Sequence, residues 1–130
     1  MSARGWRPSQ IPGTPPKGAY SRGVRAGDLL FISGQVPRSF ETGGLVGSDV
    51  GEQTRTVIEN IARVLESEGL DLGDLVSVNA YLADIADWEA FDAVYRLMIP
   101  PPFPTRTTVG ADLHGVLVEM SAIAAFRSSQ

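Results

Sequence analysis

A chain of 130 residues, 43% hydrophobic and 20% charged, has the size and composition of one globular domain, residues 1–130, able to bury its own core. It has no cysteine, which excludes disulfides, thiolate metal sites and a cysteine nucleophile. Its one histidine, His114, argues against a zinc site built on several imidazoles. A net charge of −4 with 11 scattered basic residues is poor ground for nucleic-acid binding, which needs a clustered basic footprint. Arg4, Arg7 and Pro8 interrupt the N-terminus before any signal-like apolar run forms, and no later run approaches a membrane span. A cytoplasmic protein with no membrane partner is the expectation.

Residues 1–15 form an N-terminal arm, irregular and extended to about residue 18 because Pro8, Pro12, Pro15 and Pro16 punctuate it. Ala19 to Val24 reads as a short strand, Gly27-Asp28 as a turn and Asp28 to Ser33 as a second strand, so 19–34 is a hairpin. In the second strand Leu29 and Phe31 oppose Leu30 and Ile32, and both faces are apolar. A sheet covered by helices on one side and by another subunit on the other explains this. Residues 38–48 form a loop containing Gly43, Gly44 and Gly47. Asp49 and Glu52 then resemble a capping box. The helix behind them lines up Thr54, Val57, Ile58, Ile61, Val64, Leu65 and Glu68, with Arg55, Glu59, Arg63 and Glu66 opposite, and ends near Gly69.

Asp74 to Ala83 is the third strand, with Val76, Val78, Ala80 and Leu82 on one face and Ser77, Asn79 and Tyr81 on the other. Either Asp84 or Asp87 caps a second helix whose stripe is Trp88, Phe91, Val94, Tyr95 and Met98, and Pro100-Pro101-Pro102 stops it. In the segment Pro102 to Gly110, two prolines set the backbone direction ahead of Arg106, and β-branched residues continue it as a strand. An arginine there can present a forked donor to a carboxylate; the plain alternative is a solvated arginine on a strand edge. A turn at Asp112 to Gly115 precedes the last strand, Val116 to Phe126, with Val118, Met120, Ala122 and Ala124 on one side, and the final residues fray. The fold class is therefore α+β, ordered strand, strand, helix, strand, helix, strand, strand, with both helices on one face of the sheet.

Six stretches, in this order, resemble the reactive intermediate deaminase (Rid) family, also called YjgF-like or L-PSP. They are Gly18-Ala-Tyr-Ser21, Phe31-Ile-Ser-Gly-Gln-Val-Pro37, Gln53 through Asn60, Val78-Asn-Ala-Tyr-Leu-Ala-Asp84, Phe103-Pro-Thr-Arg106 and Val118-Glu-Met-Ser-Ala-Ile-Ala124. The resemblance covers roughly residues 15 to 127. It implies a chorismate-mutase-like sandwich of the bacillary type, a mixed sheet with two helices on one face, assembled as a homotrimer with ligand clefts between subunits. It also implies hydrolysis of reactive 2-imino and enamine acids, such as 2-aminoacrylate, to 2-oxo acids and ammonia. Neither a cofactor nor a metal is implied.

By the same resemblance Arg106 is the substrate-binding arginine. A bidentate guanidinium fixes a carboxylate's plane and leaves the imine carbon in one place for water. Glu119 matches a glutamate that orients or deprotonates that water; taken alone it is an outward charge on a half-buried strand, and strand parity does not decide which way it faces. Tyr20 matches a tyrosine supplying a ring wall and a hydroxyl, or is an interface aromatic. Ser33 and Gly34 end the second strand, where a missing side chain lets backbone N–H groups approach a ligand oxygen; the alternative is a simple strand terminus. Gln53 and Asn60 read as structural hydrogen-bonders, His114 has no chemical role, and Trp88, Phe91 and Tyr95 read as core.

Three departures bear on the substrate. Asp92 stands where well-studied members carry asparagine, a negative charge in place of an amide that disfavours anions or favours an iminium nitrogen if it faces the cleft. Thr108 stands where many carry cysteine, and both the approach to Arg106 and the last hairpin are a few residues short. The expected activity is that of a 2-iminobutanoate/2-iminopropanoate deaminase-like hydrolase. The alternatives are a non-catalytic trimer that binds small carboxylates or 2-oxo acids and, against the acidic charge balance, an endoribonuclease or translation inhibitor.

Overall fold

The computed structural model describes residues 4–128. Among these residues six strands form one sheet: β1 (Trp6–Pro8), β2 (Gly23–Ala26), β3 (Leu29–Gln35), β4 (Leu75–Leu82), β5 (Thr105–Gly110) and β6 (Val118–Ala125), in the spatial order β1-β2-β3-β6-β4-β5. Neighbours are antiparallel except β4 and β5. A parallel pair needs a crossover, and helix α2 (Trp88–Met98) supplies it, while α1 (Val50–Glu66) connects β3 to β4.

The first helix forms where residue chemistry is most explicit. Asp49 is extended, and its carboxylate accepts from the Glu52 N–H at 2.8 Å, satisfying a first-turn amide. Glu52 does not return to Asp49 as a capping box would. It accepts from the backbone N–H and the hydroxyl of Ser48 at 2.8 and 3.0 Å, so the reciprocal bond closes one residue earlier. Val57, Ile58, Ile61, Val64 and Leu65 are fully buried against the sheet. Their opposite numbers are Leu30 and Ile32 of β3, Val78, Ala80 and Leu82 of β4, and Val118, Met120, Ala122 and Ala124 of β6. From α2 only Phe91 and Tyr95 are buried outright; Val94 and Met98 are half-buried and Trp88 is exposed, a narrower stripe than the spacing predicts.

Two bulges shift the strand parity. In β4 an extra residue between Leu75 and Ser77 puts Leu75 inside and leaves Val76 exposed, against the expected alternation. In β3 the register slips between Ile32 and Gln35, so Ser33 and Gly34 lie in a bulge inside the strand rather than at its end. Past β4, Asp84 caps a short 3-10 turn, Ile85–Asp87, through Ala86 N–H, and Asp87 precedes α2 without a side-chain cap.

Both chain ends differ from expectation. The first strand of the hairpin is Gly23–Ala26, not 19–24, and the arm contributes β1 as a further edge strand beside it. Glu68, placed by spacing on the helical stripe, lies beyond the helix. Its carboxylate takes both nitrogens of Arg7 at 2.9 Å and the Ser9 hydroxyl at 2.7 Å, which ties the arm down. At the other end Arg127 is not frayed: it pairs with Asp74 at 2.7 Å and Asp71 at 3.1 Å. Residues 1–3 of the arm and 129–130 of the tail lie outside the described residues.

The sheet face away from the helices carries Leu29, Phe31, Val76 and Val109, each roughly 40% exposed. No helix among the described residues is long and apolar enough to cross a membrane.

Candidate active site

The register decides where each candidate side chain goes. On β5, Arg106 and Thr108 lie beside Val78 and Ala80 of β4, whose side chains are buried on the helix side, so both project toward α2. There α2 presents Trp88, Phe91, Asp92 and Tyr95. The Arg106 guanidinium carbon stands 4.6 Å from the Tyr95 ring centre and 5.3 Å from those of Trp88 and Phe91, an aromatic cage that holds the cation by its π faces. Arg106 Nη1 donates to Asp92 Oδ1 at 2.8 Å, and Arg96 Nη2 donates to Asp92 Oδ2 at 3.4 Å. The Arg106 and Asp92 side chains are only 17% and 18% exposed. Among the described residues no hydrogen bond engages Nε or Nη2 of Arg106, so one edge of the fork is free.

The hydrogen bond from Arg106 holds the Asp92 carboxyl below its usual range, outweighing the effect of burial. Burial pushes the Tyr95 hydroxyl up, so it stays protonated. Among the described residues that hydroxyl and Thr108 Oγ1, both buried, have no hydrogen-bond partner. Trp88, Asp92, Tyr95, Arg96, Phe103 and Arg106 share the wall of a cavity of about 320 Å³.

Glu119 faces the other way. Its neighbour across the ladder is Tyr81, and Met120 and Val118 on either side are buried under the helices, so Glu119 projects from the helix-free face. It lies over Gly34: a Cβ at that position would collide with the Glu119 carboxylate. The space left by the missing side chain is therefore taken by Glu119 rather than open to a ligand. Among the described residues no protein donor bonds that carboxylate. Ser33 turns its hydroxyl to Ser21 O. Tyr20, in the loop before β2 and 54% exposed, shares with Gly34 a second cavity, of about 580 Å³.

One chain thus brings the sequence-predicted residues together in two groups. Arg106, Asp92 and Thr108 lie under α2, and Glu119 lies over Gly34 on the bare face, with the sheet between them; Ser33 sits in the bulge beside Gly34, and Tyr20 lines the cavity that Gly34 also reaches. The sequence reading missed Arg96 and Phe103, and assigned Trp88 and Tyr95 to the core alone. The spacing of Asp92 and Arg96, four apart on a helix, was the available signal. Gln53 and Asn60 are structural as expected: Asn60 donates to Val36 O and Arg38 O at 3.0 and 2.9 Å, and Gln53 accepts from Leu117 N–H at 2.8 Å. His114 is exposed in a turn. Among the described residues no three His, Cys, Asp or Glu side chains group as metal ligands.

The same arrangement of elements is found in known proteins. The chain superposes on the crystal structure of RidA from the Antarctic bacterium Psychrobacter sp. PAMC 21119 with a TM-score of 0.86 and 29% identity, over 92% of this chain and 99% of that one. A RutC family protein of Saccharolobus solfataricus is 43% identical over 111 residues, 84% of this chain and 88% of the relative. A 2-iminobutanoate/2-iminopropanoate deaminase of Dermatophagoides farinae is 31% identical over 107 residues, 79% of this chain and 84% of the relative. With the Endoribonuclease L-PSP family model matching residues 12–126, the chain belongs to the Rid/YjgF/L-PSP family.

Proposed function

We propose that this chain hydrolyses small, reactive 2-imino and enamine acids of the 2-aminoacrylate type to 2-oxo acids and ammonia, in the cytoplasm, as a homotrimer with clefts between subunits. The observation that carries the reading is Arg106: a guanidinium caged by three rings and, among the described residues, hydrogen-bonded through Nη1 alone, with its remaining edge free at a cavity wall. That edge suits a carboxylate taken in two parallel N–H···O bonds. The similarity to a protein named as an iminobutanoate and iminopropanoate deaminase supports the reaction class.

An enamine first tautomerises, a proton adding to its β carbon as nitrogen loses one. Water oxygen then bonds to the imine carbon as Glu119 accepts a water proton and passes it to the imine nitrogen, giving the neutral carbinolamine. Glu119 next takes the carbinolamine hydroxyl proton and delivers it to nitrogen as the C–N bond breaks, and ammonia leaves the 2-oxo acid. Arg106 and Glu119 lie on opposite faces of one sheet, so a single chain cannot apply both to one substrate. In the proposed trimer the β5 edge of one subunit meets the bare, apolar face of the next, and the site closes from both.

The direct test is the loss of freshly generated 2-aminoacrylate on addition of the protein. Arg106→Ala is expected to slow it by about a hundredfold or more, since orientation of the reacting carbon is lost; an unchanged rate overturns the mechanism. Asp92, which already occupies one donor of Arg106, favours a second reading, capture of a small carboxylate without turnover. That reading predicts saturable 2-oxo-acid binding, lost with Arg106, and no acceleration of imine loss.

A further inference from the structure

The cavity at Arg106 has a charge count of its own. Arg96 and Arg106 bring two positive charges to its wall and Asp92 one negative, leaving one net positive; the other lining residues, Trp88, Tyr95, Phe103 and Pro104, are uncharged. Asp92 spends both oxygens on these arginines, Oδ1 on Arg106 and Oδ2 on Arg96. Arg96 is 67% exposed, so solvent screens its attraction for a second anionic group far more than that of the half-buried Arg106. One monocarboxylate on the free edge of Arg106 neutralises the niche. A second carboxylate on the same ligand would lie in the cavity with the Asp92 carboxylate, in a setting where like charges are poorly screened.

We infer that Asp92 is a positioning and specificity-determining residue: it turns the Arg106 fork so that one edge receives a single carboxylate, and its own charge rejects dicarboxylic ligands. The ligands of this site are 2-imino and 2-oxo monocarboxylates with uncharged side chains, and the exposed faces of Trp88 and Phe103, 40% and 48% accessible, give an apolar side chain a wall to lie on. The imino group in this assignment rests on the deaminase reading; the choice of one carboxylate over two does not.

The test therefore uses stable 2-oxo acids and needs no turnover. Calorimetric titration of the whole protein with 2-oxopentanoate and 2-oxoglutarate compares two ligands of equal chain length and different charge. Wild-type protein is expected to bind the monoacid about tenfold or more tightly than the diacid, the ratio that about 1.4 kcal/mol supports. Asp92→Asn keeps an acceptor for Arg106 but removes the charge, and is expected to narrow the ratio by about tenfold, chiefly by gaining diacid affinity. Asp92→Glu, which keeps the charge, is expected to preserve the discrimination. A role confined to holding Arg106 would weaken both acids equally in Asp92→Asn and leave the ratio alone. An unchanged ratio, a wild-type preference for the diacid, or binding of neither acid each overturns the proposal. Discrimination that behaves as expected without any imine turnover leaves it standing and sinks the deaminase reading; turnover with an unchanged ratio does the reverse.

Discussion

Gly34 and Glu119 show how much of the proposed chemistry hangs on one missing methyl group. Gly34 lies in a strand bulge with a φ outside the left-handed region, so alanine is conformationally acceptable there. What alanine cannot do is share space with Glu119, whose carboxylate its Cβ would strike. The neighbour that must move is the free end of a flexible side chain rather than backbone, so the cost falls on placement of the carboxylate and not on the fold. Gly34→Ala is expected to lower imine turnover by about a hundredfold, the scale of a misplaced general base, with a melting temperature within a few degrees of wild type. Parallel rate and thermal-unfolding measurements check this; full activity would show that the position of Glu119 over the bulge does not matter. Only half of this pairing was legible beforehand. The residue types were suggestive, but the bulge at Ser33-Gly34 follows from strand pairing, not from local pattern.

Elements were readable where their own side chains determine them, and unreadable where a distant partner does. Helix α1 announces itself because its cap and its buried stripe are local facts, and Asn60 falls on it where two loop carbonyls need a donor. Strand β1 has no such signature: three exposed residues beside a proline-rich run, paired to β2 and tied down by Arg7 reaching Glu68, 61 residues away. The tail behaves likewise, with Arg127 held by Asp74 at 2.7 Å. These ties give both ends a common pH response. Hydrogen bonds from Arg7 and Arg127 depress the carboxyl pKa values of Glu68 and Asp74, and the bond from Arg106 does the same to Asp92. A depressed folded-state pKa adds stability that is fully present above the unfolded value, about 4 for a carboxyl, and is lost as pH falls through the folded value. Stability to denaturant is therefore expected to hold level from neutral pH to about 5 and then decline on further acidification. Replacing Glu68 with Gln should flatten part of that decline; an identical profile in the variant would remove Glu68 from the account.

At the scale of the whole molecule, Arg106 and Glu119 could each be singled out from the sequence, yet their relation could not, because which face a strand residue takes depends on register across the sheet. Val78 beside Arg106 and Tyr81 beside Glu119 put the two on opposite sides, and the apolar stretch at Leu29 and Phe31 lies on the Glu119 side. The doubly apolar β3 was legible as an apolar face beyond the helices; the placement of Arg106 and Glu119 on opposite faces was not. That division makes a demanding prediction. If each cleft takes Arg106 from one subunit and Glu119 from its neighbour, Arg106→Ala and Glu119→Gln proteins are each inactive, but unfolding them together and refolding the mixture creates subunit pairs with one intact cleft. In a closed ring of randomly assorted subunits, roughly a quarter of the clefts receive both wild-type side chains. Recovered imine turnover near that fraction, absent when the two proteins are mixed without exchange, is the expected result. Residual activity no higher than that of the parents, with mixed oligomers demonstrated by mass spectrometry, would mean that both residues act from one chain or that Glu119 takes no part, and the composite cleft would fall.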